Sequence, residues 1–195
     1  MFVALALLSS IGACKFGKHQ LPYPGTQIVG TDTAYHELPE FRFYNQDSTA
    51  ITREDLLGKV VVADFFFISC PTICPVMGKH MKMIYDRYPD GVQLISHSID
   101  TRHDTIPRLK AYAQKMGVND QRWHFVTGDR DEIYRVGQEF YMVSASADPS
   151  EPGGYLHSGS LILRDQKGRI RGIYDGTNEA QVGQLISDIK ILLRA

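Results

Sequence analysis

The chain has 195 residues, 43% hydrophobic and 22% charged. That length suits one domain, and the apolar share excludes a largely disordered chain. With 21 Lys plus Arg against 22 Asp plus Glu there is no global basic field to hold nucleic acid, and 3 Cys are too few for a disulfide scaffold. Met1 to Cys14 reads MFVALALLSSIGAC: an apolar run, then small residues, then Cys. A spanning helix needs about 20 apolar residues, so this stretch is too short and reads as an export signal. Residues 15–31, with Pro22, Pro24, Gly25 and Gly30, have the composition of a flexible tether. The domain is expected over 32–195.

Arg42 to Ile51 suggests an N-terminal hairpin. Val60 to Phe67 is a nearly continuous apolar run, suited to a strand covered on both faces. Ile68 to Pro75 reads as a loop with two Pro. Val76 to Tyr88 has helical spacing, with Met77, Met81 and Ile84 on one face. Val92 to Ile99 predicts a strand, and Pro107 opens a helix through Met116. Trp123 to Thr127 predicts a strand and Asp131 to Phe140 a helix with an acidic first turn. Ser160 to Arg164 and Ile170 to Tyr174 flank the turn Asp165-Gln166-Lys167-Gly168, and Ala180 to Leu193 closes as an amphipathic helix. This alternation predicts an α/β fold of the thioredoxin-like pattern, a central mixed sheet flanked by helices.

Cys70-Pro71-Thr72-Ile73-Cys74-Pro75 falls where the first long strand hands over to its helix. Sites in open α/β sheets gather at such strand ends. A helix N-terminus also lowers a thiol pKa. Two Cys four apart can face the same way, and so hold one soft metal or close a disulfide. The two Pro argue against a buried, inert pair.

The motif CPTICP, after VVADFFF and before a Met-bearing helix, resembles the Sco/SenC family. The resemblance runs roughly from His36 to Leu193. It includes Asp100-Thr101-Arg102-His103-Asp104-Thr105, similar to the family's Asp-Pro-x-x-Asp-Thr loop. It implies a thioredoxin-like copper-binding protein that supports assembly of the binuclear copper centre of cytochrome c oxidase. It also implies copper, as Cu(I) or Cu(II), one per chain, held by Cys70, Cys74 and His157. The implied partner is the copper-accepting subunit of cytochrome c oxidase or a related respiratory oxidase. Ile11-Gly12-Ala13-Cys14 resembles the bacterial lipobox, implying a lipid on Cys14 and a membrane-anchored domain on the periplasmic or extracytoplasmic side. Thr101 and Leu156 depart from the family pattern, which often has Pro and an acidic residue there.

The donor chemistry agrees with copper, since thiolates favour Cu(I) and imidazole accepts either state. His36, His97, His103 and His124 are weaker candidates, with His103 read as solvated. His80 is read as surface. Met77 and Met81 read as core rather than thioether ligands, and Met83 belongs to the same run. Asp100 reads as loop architecture or outer support of the Cys pair, and Asp104 as a carboxylate of the same loop. Asp64, in the apolar strand, suits proton transfer in a thiol–disulfide oxidoreductase, which is the alternative function. Against it stand the three-residue Cys spacing and the lack of a Pro after Pro152. A peroxidase is disfavoured: Glu37-Leu38-Pro39 matches its opening, but Phe67 and Pro71 stand where a Thr should precede a reactive Cys.

Overall fold

The computed structural model describes residues 20–29 and 32–194, with the backbone alone at 27, 29, 32, 33 and 157. The chain runs β1 (Gln27–Val29), β2 (Asp32–Ala34), β3 (Arg42–Asn45), β4 (Ala50–Thr52), α1 (Arg53–Leu56), β5 (Val60–Phe66) and α2 (Cys74–Arg87). It continues through β6 (Val92–Ser98), α3 (Ile106–Lys115), β7 (Trp123–Thr127) and α4 (Arg130–Arg135), which runs into a π-helical turn, Val136–Phe140. The last elements are β8 (Ala145–Ala147), β9 (Tyr155–His157), β10 (Ser160–Arg164), β11 (Ile170–Asp175) and α5 (Glu179–Leu192).

One seven-stranded mixed sheet has the order β11-β10-β5-β6-β7-β3-β4. β5, β6 and β7 are parallel and central, and the flanking pairs are antiparallel. Every residue of these three strands is buried, as expected for a sheet covered on both faces. Full burial of one Val or Phe stabilises by roughly 1.5–3 kcal/mol, so the carboxyl end of β5 is a rigid platform. The β3–β4 hairpin matches the expected N-terminal addition, with buried Phe43 opposite buried Ile51.

Right-handed crossovers put α2 and α3 on one face. There Phe66 packs on Tyr112 and Phe125. α5 shares that face, since Tyr88, which caps the end of α2, donates to the Ile186 carbonyl at 2.9 Å. On the opposite face Phe65 meets His97 and Tyr141, which follows the π-helical turn.

Three expectations shift. Helix α2 starts at Cys74, inside the expected loop, because Pro75 falls in the first turn, where its missing N–H costs nothing. The helix expected over 131–140 divides into α4 and the π-helical turn. The stretch expected as a tether is anchored along part of its length. Leu21 is buried, and Arg171 donates to the Leu21 and Pro22 carbonyls at 2.7 and 3.1 Å while paired with Asp165. Among the described residues no helix is long and apolar enough to cross a membrane.

Candidate metal centre

Cys70 and Cys74 bracket the start of α2, beyond the carboxyl end of β5. The turn from strand to helix is closed by the Cys70 N–H donating to the Phe67 carbonyl at 3.2 Å. Ile73, at the N-cap position, offers no side-chain acceptor to the first-turn amides. The Cys70 sulfur takes that place: the backbone N–H groups of Thr72 and Cys74 donate to it, and Thr72 Oγ1 lies 3.7 Å away. The Cys74 thiol hydrogen-bonds Cys70 as well.

Both sulfurs are buried, at 6% and 5% residue exposure. That corrects the expectation that two Pro would keep the pair open. Pro71 and Thr72 between them remain exposed, so the burial is of the sulfurs and not of the whole loop. Burial alone raises the Cys70 pKa, but the donated N–H groups outweigh it and hold the thiol below its ordinary value. Burial pushes Cys74 strongly upward, and the nearby Cys70 and Asp64 add to it. The pair thus holds one thiolate-prone sulfur just outside the helix and one protonated sulfur just inside it.

His157 ends β9, with its Cα paired to Ala145 of β8. Residues on both sides of it touch the thiol loop. A Cβ at Gly153 would stand 2.8 Å from the Phe67 ring and 3.3 Å from Pro71 Cδ. The Tyr155 ring lies 5.1 Å from that of Phe67. A Cβ at Gly159 would lie 3.6 Å from Ile73 Cδ1. The hairpin backbone is therefore seated beside Phe67, Pro71 and Ile73, which flank Cys70 and Cys74, while the His157 side chain lies outside the described ones. Among the described side chains no three His, Cys, Asp or Glu gather as a metal set. Cys14 lies outside the described residues.

The loop 100–105 supports the thiol loop from behind. Asp104 accepts from the Ile68 N–H at 3.0 Å and from Ser98 Oγ at 2.7 Å. Asp100 is buried and accepts from Tyr155 Oη at 2.6 Å, with His103 Nδ1 2.9 Å away. Its contacts to His103 are the loop architecture, one of the two roles expected of Asp100, and the His103 side chain is 58% exposed, as expected. Sequence reading missed Tyr155 and the tie from Asp104 to Ile68, because each contact joins residues far apart in the chain.

The other candidates separate. Asp64 is buried beside Ser96, and burial raises its pKa to about 7. His97 is buried in the core, with Nδ1 donating to the Asp64 carbonyl at 3.2 Å. His124 is buried and contacts Asn45 and Gln93. His36 stacks on Phe140. His80 is not the surface residue expected: it is half-buried, with Nδ1 donating to the Gly176 carbonyl at 2.8 Å. Met77 and Met81 are core and Met83 is exposed.

The SCO1/SenC family pattern matches residues 29–194. A SCO1/SenC family lipoprotein from Bacillus anthracis is 31% identical with a TM-score of 0.73, over 81% of this chain and 95% of that one. BsSco, described as a member of the Sco family of cytochrome c oxidase assembly proteins, is 28% identical with a TM-score of 0.72 over 89% and 98%. ScoI of Bradyrhizobium japonicum, solved with copper bound, is 25% identical with a TM-score of 0.62 over 80% and 99%. A thioredoxin-like sheet, paired cysteines at its first parallel strand–helix junction and a family match across the domain lead to one conclusion: this chain belongs to the SCO1/SenC family.

Proposed function

We propose that this chain is a copper metallochaperone, binding one copper through Cys70, Cys74 and His157 and supporting assembly of the binuclear copper centre of cytochrome c oxidase. The observation that carries the reading is the pair of hydrogen-bonded sulfurs at the start of α2, in a loop whose flanking residues Phe67, Pro71 and Ile73 meet the segment that carries His157. Two thiols are soft donors that suit Cu(I), and a Cys-Cys-His set leaves coordination positions for a partner's ligand to enter. A closed four-ligand site would resist such transfer. The copper-bound relative and the oxidase-assembly relative support the choice of metal and partner.

The test is a Cu(I) titration of the reduced protein against a competing chelator, repeated with His157→Ala and with the double variant Cys70→Ser, Cys74→Ser. One tightly bound copper per chain, lost in the double variant and weakened in His157→Ala, is expected. Equally tight Cu(I) binding by the oxidised protein would overturn the ligand assignment, because a disulfide offers no thiolate.

The alternative reading, a thiol–disulfide oxidoreductase, draws on the unequal cysteines and on buried Asp64. The Cys70 thiolate would attack a partner disulfide and Cys74 would resolve the mixed disulfide. The Cys pair is oxidised to a disulfide, and the partner disulfide is reduced to two thiols. Rapid reduction of a disulfide substrate, with no tight copper, would select this reading.

The signal sequence and the lipoprotein relative support a lipid on Cys14, which would anchor the domain outside the cytoplasm. Cys14→Ala is expected to move the protein from the membrane fraction to the soluble fraction. Membrane retention in that variant would remove the anchor from the proposal.

A further inference from the structure

Among the described residues, the β8–β9 hairpin stands apart from the seven-stranded sheet and its strands pair with each other alone, through three register positions. A two-stranded ribbon of that size is marginal alone. Its placement must come from contacts outside the ladder. On the β8 side, Gln138 donates to the Ala145 carbonyl at 2.7 Å. On the β9 side, among the described residues, the side-chain hydrogen bond to the rest of the molecule is Tyr155 Oη to Asp100 Oδ1, at 2.6 Å.

Each end of that bond is fixed. The Tyr155 ring packs on Phe67, next to the Cys loop. Asp100 is buried, and its carboxylate lies 2.9 and 3.0 Å from His103 Nδ1 and accepts from the His103 N–H at 3.3 Å. Its own loop is tied to the thiol loop through Asp104 and Ile68. A hydrogen bond to a carboxylate is stronger than a neutral one, and a buried carboxylate that loses a donor is left partly unsatisfied. One short bond therefore closes a ring of contacts running from Cys70, through Ile68 and Asp104, to Asp100, Tyr155 and the hairpin.

We propose that the Tyr155–Asp100 hydrogen bond latches the β8–β9 hairpin against Phe67, beside the thiol pair. Tyr155 and Asp100 are then positioning residues that set where the third donor stands. The ligand part of this inference rests on the metallochaperone reading; the latch itself does not.

The test uses Tyr155→Phe, which keeps the ring on Phe67 and removes only the hydroxyl, with Asp100→Asn and the double variant. The first readout is amide hydrogen exchange over residues 145–157 in the reduced, metal-free protein. Exchange there is expected to quicken by about tenfold in Tyr155→Phe, with β5 and β6 unchanged, as for loss of one charge-assisted hydrogen bond. The double variant should show no more than the larger single effect, because both changes break one bond. The second readout is the absorption spectrum and competed affinity with added copper. In Tyr155→Phe both should move part of the way toward His157→Ala.

Unchanged exchange over the hairpin, or additive effects in the double variant, would overturn the latch. Faster hairpin exchange with copper spectrum and affinity unchanged would overturn the positioning role. If the parent protein binds no copper, the metallochaperone reading and the positioning role fall together. The exchange data still decide the latch.

Discussion

Cys70 lies just outside α2 and Cys74 is its first residue, so the helix amides point toward one sulfur while the other sinks into the core. A thiol receiving N–H donors is held toward the thiolate, and a thiol in apolar surroundings is held toward the protonated form. In the reduced, metal-free protein at pH 7, iodoacetamide is expected to modify Cys70 well before Cys74, as read by peptide mass mapping. Equal labelling, or labelling of Cys74 first, would refute the assignment. Asp64 is a buried carboxyl whose pKa burial raises to about 7. It sits one strand away from Ser96 in register and adds negative character to the neighbourhood of Cys74.

At the scale of elements, the hairpin that carries His157 depends on one backbone position. Gly153 has φ +87°, which a side chain disfavours, and a Cβ there would run into the Phe67 ring. Gly153→Ala should therefore lower stability by about 1–3 kcal/mol, the range for a strained backbone position. It should also weaken copper binding, because the hairpin must lift from Phe67. Calorimetric unfolding and the chelator titration check both, and an unchanged affinity would show that the close approach at Phe67 does not set the donor geometry. Much of this architecture was legible in the chain. The apolar run at Val60 and the helical spacing at Met77, Met81 and Ile84 gave β5 and α2, because burial on two faces and on one face leave different periods. The hairpin itself was not legible. Ala145-Ser146-Ala147 has no strand period, and its stability comes from Phe67, Pro71 and Asp100, all distant in sequence. The Cys pair was legible by type and spacing, but its burial was not, since it depends on how residues distant in sequence pack around the start of α2.

The whole molecule keeps several titratable groups in states that water would not choose. Burial lowers His97 to about 3 and His124 to about 4, and raises Asp64 to about 7. A buried neutral His stabilises fully above its unfolded value of about 6.5, and that contribution is lost as pH falls toward the folded value. Asp64 acts in the opposite sense: its contribution is present below about 3.9 and lost as pH rises toward 7. Between pH 6.5 and 4.5 the unfolded chain binds about two protons more at the His pair, and the folded chain about one more at Asp64. Stability from these groups should then fall by about 1.4 kcal/mol per pH unit on acidification. His97→Asn should flatten that acid limb relative to the parent, and Asp64→Asn should steepen it. Denaturant midpoints at pH 6.5 and 4.5 measure both, and parallel slopes in all three proteins would contradict the burial account.

Cys70 and Cys74 belong to the rigid junction of β5 and α2, whereas, among the described residues, the hairpin carrying His157 forms no ladder with the seven-stranded sheet. Such an arrangement separates what must be conserved from what can drift. Away from Gly153, the loop 148–154 can gain or lose length without disturbing the register of the seven-stranded sheet, since added loop length costs little entropy. Insertions and deletions in that loop would re-space His157 against a fixed cysteine pair, so descendants of this chain could reshape the mouth of the site while inheriting an unaltered core.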